Sequence, residues 1–148
     1  MFTSILIIAV STALFVYWFR YTCVLILSTR TTQDYSARVA ADNRLSFAEV
    51  QGHLETAPAA RFEAIQASLE RDFRMVSSLL RQARGLKVAG NPLEELILRV
   101  DFHLMRTAYG ISRGFSEARA RMALEEMSQV VAHLANAFGE RVASSASA

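Results

Sequence analysis

The pattern of apolar and polar positions divides this chain in two. From Ile5 to Leu27 (ILIIAVSTALFVYWFRYTCVLIL) apolar side chains cover every side of a helix, interrupted by one charge, Arg20. Beyond that stretch, apolar residues recur every three or four positions, the period of helices that bury one stripe. The expected fold is therefore all-α: a single N-terminal transmembrane helix followed by a small antiparallel bundle of three main helices and one short one.

At 1.5 Å of rise per residue the leading stretch extends roughly 34 Å, slightly more than a hydrocarbon core of about 30 Å. Ser4, Ser11 and Thr12 are the polar residues along its first turns, and such hydroxyls bond back to their own helix rather than making a wet stripe. Tyr17, Trp18 and Tyr21 surround Arg20, an aromatic cluster of the kind found at membrane interfaces, from which a guanidinium reaches headgroups on its apolar stem. An arginine lying deeper would instead call for an acidic partner on a neighbouring transmembrane helix. A cleaved signal peptide fits less well. No positive n-region precedes the run, the run exceeds the usual apolar core, and no small-x-small site lies ahead of Arg20. Basic residues follow the segment (Arg20, Arg30, Arg38, Arg44) and none precedes it, which predicts the inner membrane, single-pass, with the C-terminal domain cytoplasmic.

The predicted organisation is a transmembrane anchor (1–27), a juxtamembrane helical stalk (28–45), a helical bundle domain (46–142) and a disordered tail (143–148). Ser46 and Glu49 have the spacing of a capping box, which predicts a short helix over 47–54 that ends near His53. Thr56 and Pro58 open a long helix over 58–84, with Gly85 as a left-handed cap. Its stripe is Phe62, Ile65, Leu69, Val76, Leu79 and Ala83. Asp72 falls on a core position of that stripe, and the expectation is that it tilts into solvent while Phe73 fills the gap, the rival being a buried pair with an arginine.

Gly90, Asn91 and Pro92 break the chain again. Asn91 is positioned as a cap, and Glu94 and Glu95 lie in the first turn, where the helix dipole favours them. The helix that follows, 92–109, carries two apolar stripes. One is Leu93, Ile97, Val100, Leu104, Ala108 and Ile111; the other is Leu98, Phe102, Met105 and Tyr109, flanked by Arg99, Arg106 and Arg113 at seven-residue intervals. Two faces mean either a central helix, with the stalk or the short helix over its second face, or a helix that lends one face to a partner. The interaction face expected from the sequence is the second stripe, Leu98, Phe102, Met105 and Tyr109 with Arg99 and Arg106. After a turn at 110–114, Ser116 caps a last helix over 117–142 with a regular seam of Ala120, Leu124, Met127, Val131, Leu134 and Phe138, as in an antiparallel bundle or coiled coil.

Composition changes this picture little. A net charge of +2, from sixteen basic and fourteen acidic residues, gives no case for nucleic acid. Fifteen of the sixteen basic residues are Arg, with Lys87 alone; together with the many alanines this points to a GC-rich bacterial genome and warns against reading much into any single arginine. One cysteine, Cys23, excludes an internal disulfide.

Candidate chemistry is sparse. His53, His103 and His133 stand one per helix with no pair four residues apart, and the Glu-x-x-His pattern of helical di-iron sites does not occur, so no metal or cofactor is expected. Glu125 and Glu126 diverge on their helix, and no phosphate loop, dinucleotide fingerprint or nucleophile elbow is present. The sequence assembles no catalytic site. The expected role is a membrane-anchored, noncatalytic interaction or accessory subunit whose partners are the lipid bilayer and other membrane protein subunits or copies of itself. The alternative is a membrane-tethered receptor or carrier holding an apolar ligand in the bundle core, which would show itself as a hollow beside His103 or Asp72.

Overall fold

The computed structural model describes residues 1–29, 33–85 and 91–147; Arg30, Lys87 and Gly90, named above, lie outside them. The described residues form helices and turns without strands: α1 (Phe2–Ser28), α2 (Ser36–Asn43), α3 (Phe47–His53), α4 (Phe62–Ala83), α5 (Pro92–Ser112) and α6 (Glu117–Ala146), with a single 3-10 turn over Ala59–Arg61. The chain divides into two compact units, Met1–Arg30 and Thr31–Ala148.

The first unit is α1, a helix long and apolar enough to cross a membrane. Thr12 Oγ1 donates to the Ile8 carbonyl at 2.8 Å and Thr22 Oγ1 to that of Trp18 at 2.9 Å, so these hydroxyls are satisfied within the helix. Tyr17, Trp18 and Tyr21 are exposed, and the Trp18 ring stands edge-on to both tyrosines, with centroids 6.4 and 6.0 Å away. Arg20 is partly exposed within this cluster, and Cys23 is buried.

The helical stalk expected over 28–45 is not one continuous helix. α1 stops at Ser28, Thr29 is extended, and α2 belongs to the second unit, where it packs on α6. The close fit has a cause in Gly139 of α6: a Cβ there would stand 2.3 Å from Tyr35 Cβ, so only glycine admits α2 this closely. Asn136, one turn earlier on α6, accepts the Tyr35 amide at 2.7 Å at the start of α2. The helix ends at Arg44, which adopts the left-handed conformation (φ 53°). Gly85, the expected left-handed cap of α4, has no positive φ; α4 closes through a turn from the Gly85 amide to the Gln82 carbonyl.

The second unit is organised around α6, against which α2, α3, α4 and α5 all pack. Its seam is buried at Ala120, Leu124, Met127, Val131 and Leu134, but so are Ala123, Ser128, Val130, Ala135 and Gly139 on other sides. These are mostly small residues, and they let neighbouring backbones approach where a seam of large side chains would not. On α5, Asn91 accepts the Leu93 amide as predicted, but Gly110 continues the helix instead of breaking it. Ser116 accepts the Arg119 amide at the start of α6. α6 then runs to Ala146, through most of the tail expected to be disordered; Ser145 and Ser147 donate their hydroxyls to carbonyls one turn back.

Asp72 corrects a further expectation. It is 1% exposed, and its Oδ2 accepts the Ser46 amide at 2.6 Å, the Ser46 hydroxyl at 2.9 Å and the Phe47 amide at 2.9 Å. The predicted capping box therefore does not form as such. Ser46 precedes α3 but makes no side-chain cap bond to it, and the cap comes from the middle of α4.

Candidate functional site

The stripe expected to meet a partner lies inside the protein. Leu98, Phe102, Met105 and Tyr109 are between 1% and 8% exposed. α6 packs along α5 and Phe73 of α4 covers Phe102, rather than α2 or α3 as the sequence led one to expect. Phe102 stacks on Phe73 of α4 with centroids 3.9 Å apart and planes 3° from parallel, and His103 stands edge-on to Phe73 at 5.5 Å. Arg106 pairs with Glu70 of α4 at 2.7 Å, and Arg99 lies near Glu95 and Arg84 in the ion cluster described below. Burial holds the Tyr109 hydroxyl above its ordinary pKa, an effect that the hydrogen-bonded Arg113 opposes.

The stripe left to solvent is the other one. Leu93, Leu96, Val100, Leu104 and Ile111 are 39% to 64% exposed. Between Leu93 and Ile111 the exposed positions are Leu93, Leu96, Val100, His103, Leu104, Arg106, Thr107, Gly110 and Ile111, and the one formal charge among them, Arg106, is paired with Glu70. A solvated helix face ordinarily carries several charges; this one spans five turns with none to spare. Both stripes had the right spacing, and periodicity alone does not say which of two faces a neighbour covers.

The three histidines serve separate contacts. His53 closes α3, His103 lies against Phe73, and His133 Nε2 meets Glu94 Oε1 at 2.9 Å. Among the described residues no three His, Cys, Asp or Glu side chains group as metal ligands. Asp72 lies against the N-terminus of α3, and His103 stands edge-on to the stacked rings of Phe73 and Phe102.

An ion cluster that spacing did not reveal joins α4, α5 and α6. Glu95, in the first turn of α5 and 3% exposed, gives Oε2 to Arg84 at 3.1 Å and Oε1 to Arg141, which is itself 7% exposed. Arg99 lies one turn along from Glu95, and its pKa is lowered by burial and by the positive charge of Arg84. Partners eleven and forty-six residues apart leave no trace in local sequence; the one available signal was Glu95 at a helix start.

Farther along, Arg121 of α6 donates to the carbonyls of Glu55 (2.8 Å), Ala57 (3.2 Å) and Leu54, and lies over the Phe62 ring. It thereby ties down the segment between α3 and α4.

Comparison with known proteins places none beside this one: no family model, no curated protein and no solved structure matches the chain. What the fold defines is an all-helical protein with one apolar N-terminal helix and a separate helical unit.

Proposed function

We propose that the protein is a membrane-anchored, noncatalytic interaction subunit. In this reading α1 crosses the cytoplasmic membrane once, and the second unit is an antiparallel helical bundle on the cytoplasmic side that presents the outer face of α5 to another helix. The observation that carries it is the uncharged seam Leu93, Val100, Leu104 and Ile111 left open on a helix whose opposite face is already buried. Interfacial aromatics around Arg20 and the basic residues that follow α1 support the anchor and its orientation.

The occupant we assign is the same face of a second copy. Residues 93, 97, 100, 104 and 111 keep the four-three rhythm of a knobs-into-holes seam, and a face without spare charge meets its own image about a two-fold axis without repulsion. Light scattering on the full chain in a mild neutral detergent tests this. A dimer that Leu104→Glu turns into a monomer of unchanged helicity supports the assignment; a wild-type monomer overturns it, and mass spectrometry of companions retained from native membranes then decides whether a different subunit takes the seam.

A further inference from the structure

Among the described residues, the cluster around Glu95 sets several guanidinium groups beside one buried carboxylate. Arg84 and Arg141 share the two oxygens of one carboxylate, while Arg99 is close enough to feel the charges of Arg84, Glu95, Arg81 and Arg141. Among the described residues Arg84, Arg99 and Arg141 thus gather around one buried carboxylate, and arginine does not relieve such crowding by losing a proton.

Nor are the donors used up. Arg141 Nη1, Arg99 Nε and Arg99 Nη2 are buried from solvent without a hydrogen-bond partner. A buried guanidinium N–H left unmade is costly, because a hydrogen bond to a charged group is worth more than a neutral one. The cluster has an open side as well, since the Arg84 side chain is 51% exposed.

We propose that Arg99, Arg141 and Arg84 form a binding site for a phosphate group, with Glu95 holding Arg84 and Arg141 in place. Phosphate suits the site because a tetrahedral oxyanion accepts from several planar guanidinium forks at once and carries charge opposite to theirs. The group has two possible sources, a soluble phosphate ester or the headgroup of an anionic phospholipid; the second also requires α1 to lie in lipid, the first does not.

The test uses the full chain in neutral detergent. One arm titrates inorganic phosphate and glycerol 3-phosphate against chloride at matched ionic strength, read by calorimetry and melting temperature. The other dopes the micelles with phosphatidic acid or with phosphatidylcholine. Binding by phosphate that chloride does not reproduce, weakened about tenfold or more by Arg99→Gln, supports the site. Arg99→Gln is the variant of choice because Arg99 Nε and Nη2 make no protein bond to lose, whereas Arg141→Gln strips a partner from buried Glu95. Response to phosphatidic acid alone supports the site with a lipid as its source. No response in either arm overturns the proposal, as does phosphate binding equally to wild type and Arg99→Gln. Loss of dimer in Leu104→Glu with phosphate binding retained separates this site from the α5 seam.

Discussion

The carboxylate of Asp72, in the middle of α4, accepts the backbone amide of Phe47 at 2.9 Å and so caps a helix that begins twenty-five residues earlier in the chain. Asn136 does the same for α2, accepting the Tyr35 amide from a helix a hundred and one residues away. Both short helices are thus tied at their starts to long ones, α2 in addition to the local bond its Ser36 amide donates to Asp34 Oδ1 at 2.9 Å. A seven- or eight-residue helix is unstable alone, and these bonds tie its formation to its docking. Asp72→Ala is expected to destabilise the protein by about 2 to 3 kcal/mol, the range for a buried charged acceptor losing its donors. Asp72→Asn, which keeps an acceptor oxygen, loses less. Chemical denaturation gives the magnitudes, and hydrogen exchange should show protection falling first in α3.

Two glycines give opposite signs. Gly139→Ala gains about 1 kcal/mol of helix propensity but puts a methyl 2.3 Å from Tyr35 Cβ, so α2 must move. The expected result is exposure of residues 35–44 to proteolysis with α4, α5 and α6 intact. Gly110→Ala meets nothing within 4 Å and lies in the helix interior, so it is expected to stabilise by about 0.5 to 1 kcal/mol. Equal effects of the two would contradict the close approach of α2.

The two faces of α5 separate folding from assembly. Phe102→Glu places a carboxylate on the Phe73 stack and is expected to unfold the second unit, since the lost packing and the buried charge together cost about 3 to 5 kcal/mol or more, a large part of a domain's stability. Leu104→Glu, on the exposed side, should alter stability by no more than about 0.5 kcal/mol. Circular dichroism reads both. A folded Phe102→Glu protein would mean that the stack is not part of the core.

Much of the helical architecture was legible because long amphipathic stretches with local caps carry their own signals. Asn91 and Ser116 cap the helices they precede, and the stripes of α4 and α6 are buried largely where their spacing put them. What was not legible depends on residues distant in sequence. Asp72 at a core position was the visible anomaly, but its partners on α3 were not deducible from α4 alone. The breadth of the α6 core was hidden because Ala123, Ser128, Ala135 and Gly139 do not count as strong apolar markers, although the smallness of Gly139 is what brings the start of α2 close. For the same reason α5 looked central while α6 is.

Tyr109 supplies a prediction in pH. Its hydroxyl is buried, which raises its pKa above the ordinary value near 10, and Arg113 limits the rise. Between the ordinary and the raised value the unfolded chain loses this proton while the folded one keeps it, so the unfolded state gains. The contribution is complete below about pH 10 and disappears as pH climbs through the raised folded value. Tyr109→Phe keeps the ring in place and removes the titrating group, so the stability difference between wild type and Tyr109→Phe should be flat at neutral pH and turn against wild type above about pH 10. Arg113→Gln removes the opposing cation and should extend that loss to higher pH. Parallel stability curves for wild type and Tyr109→Phe through the alkaline range would show that the Tyr109 hydroxyl reaches solvent.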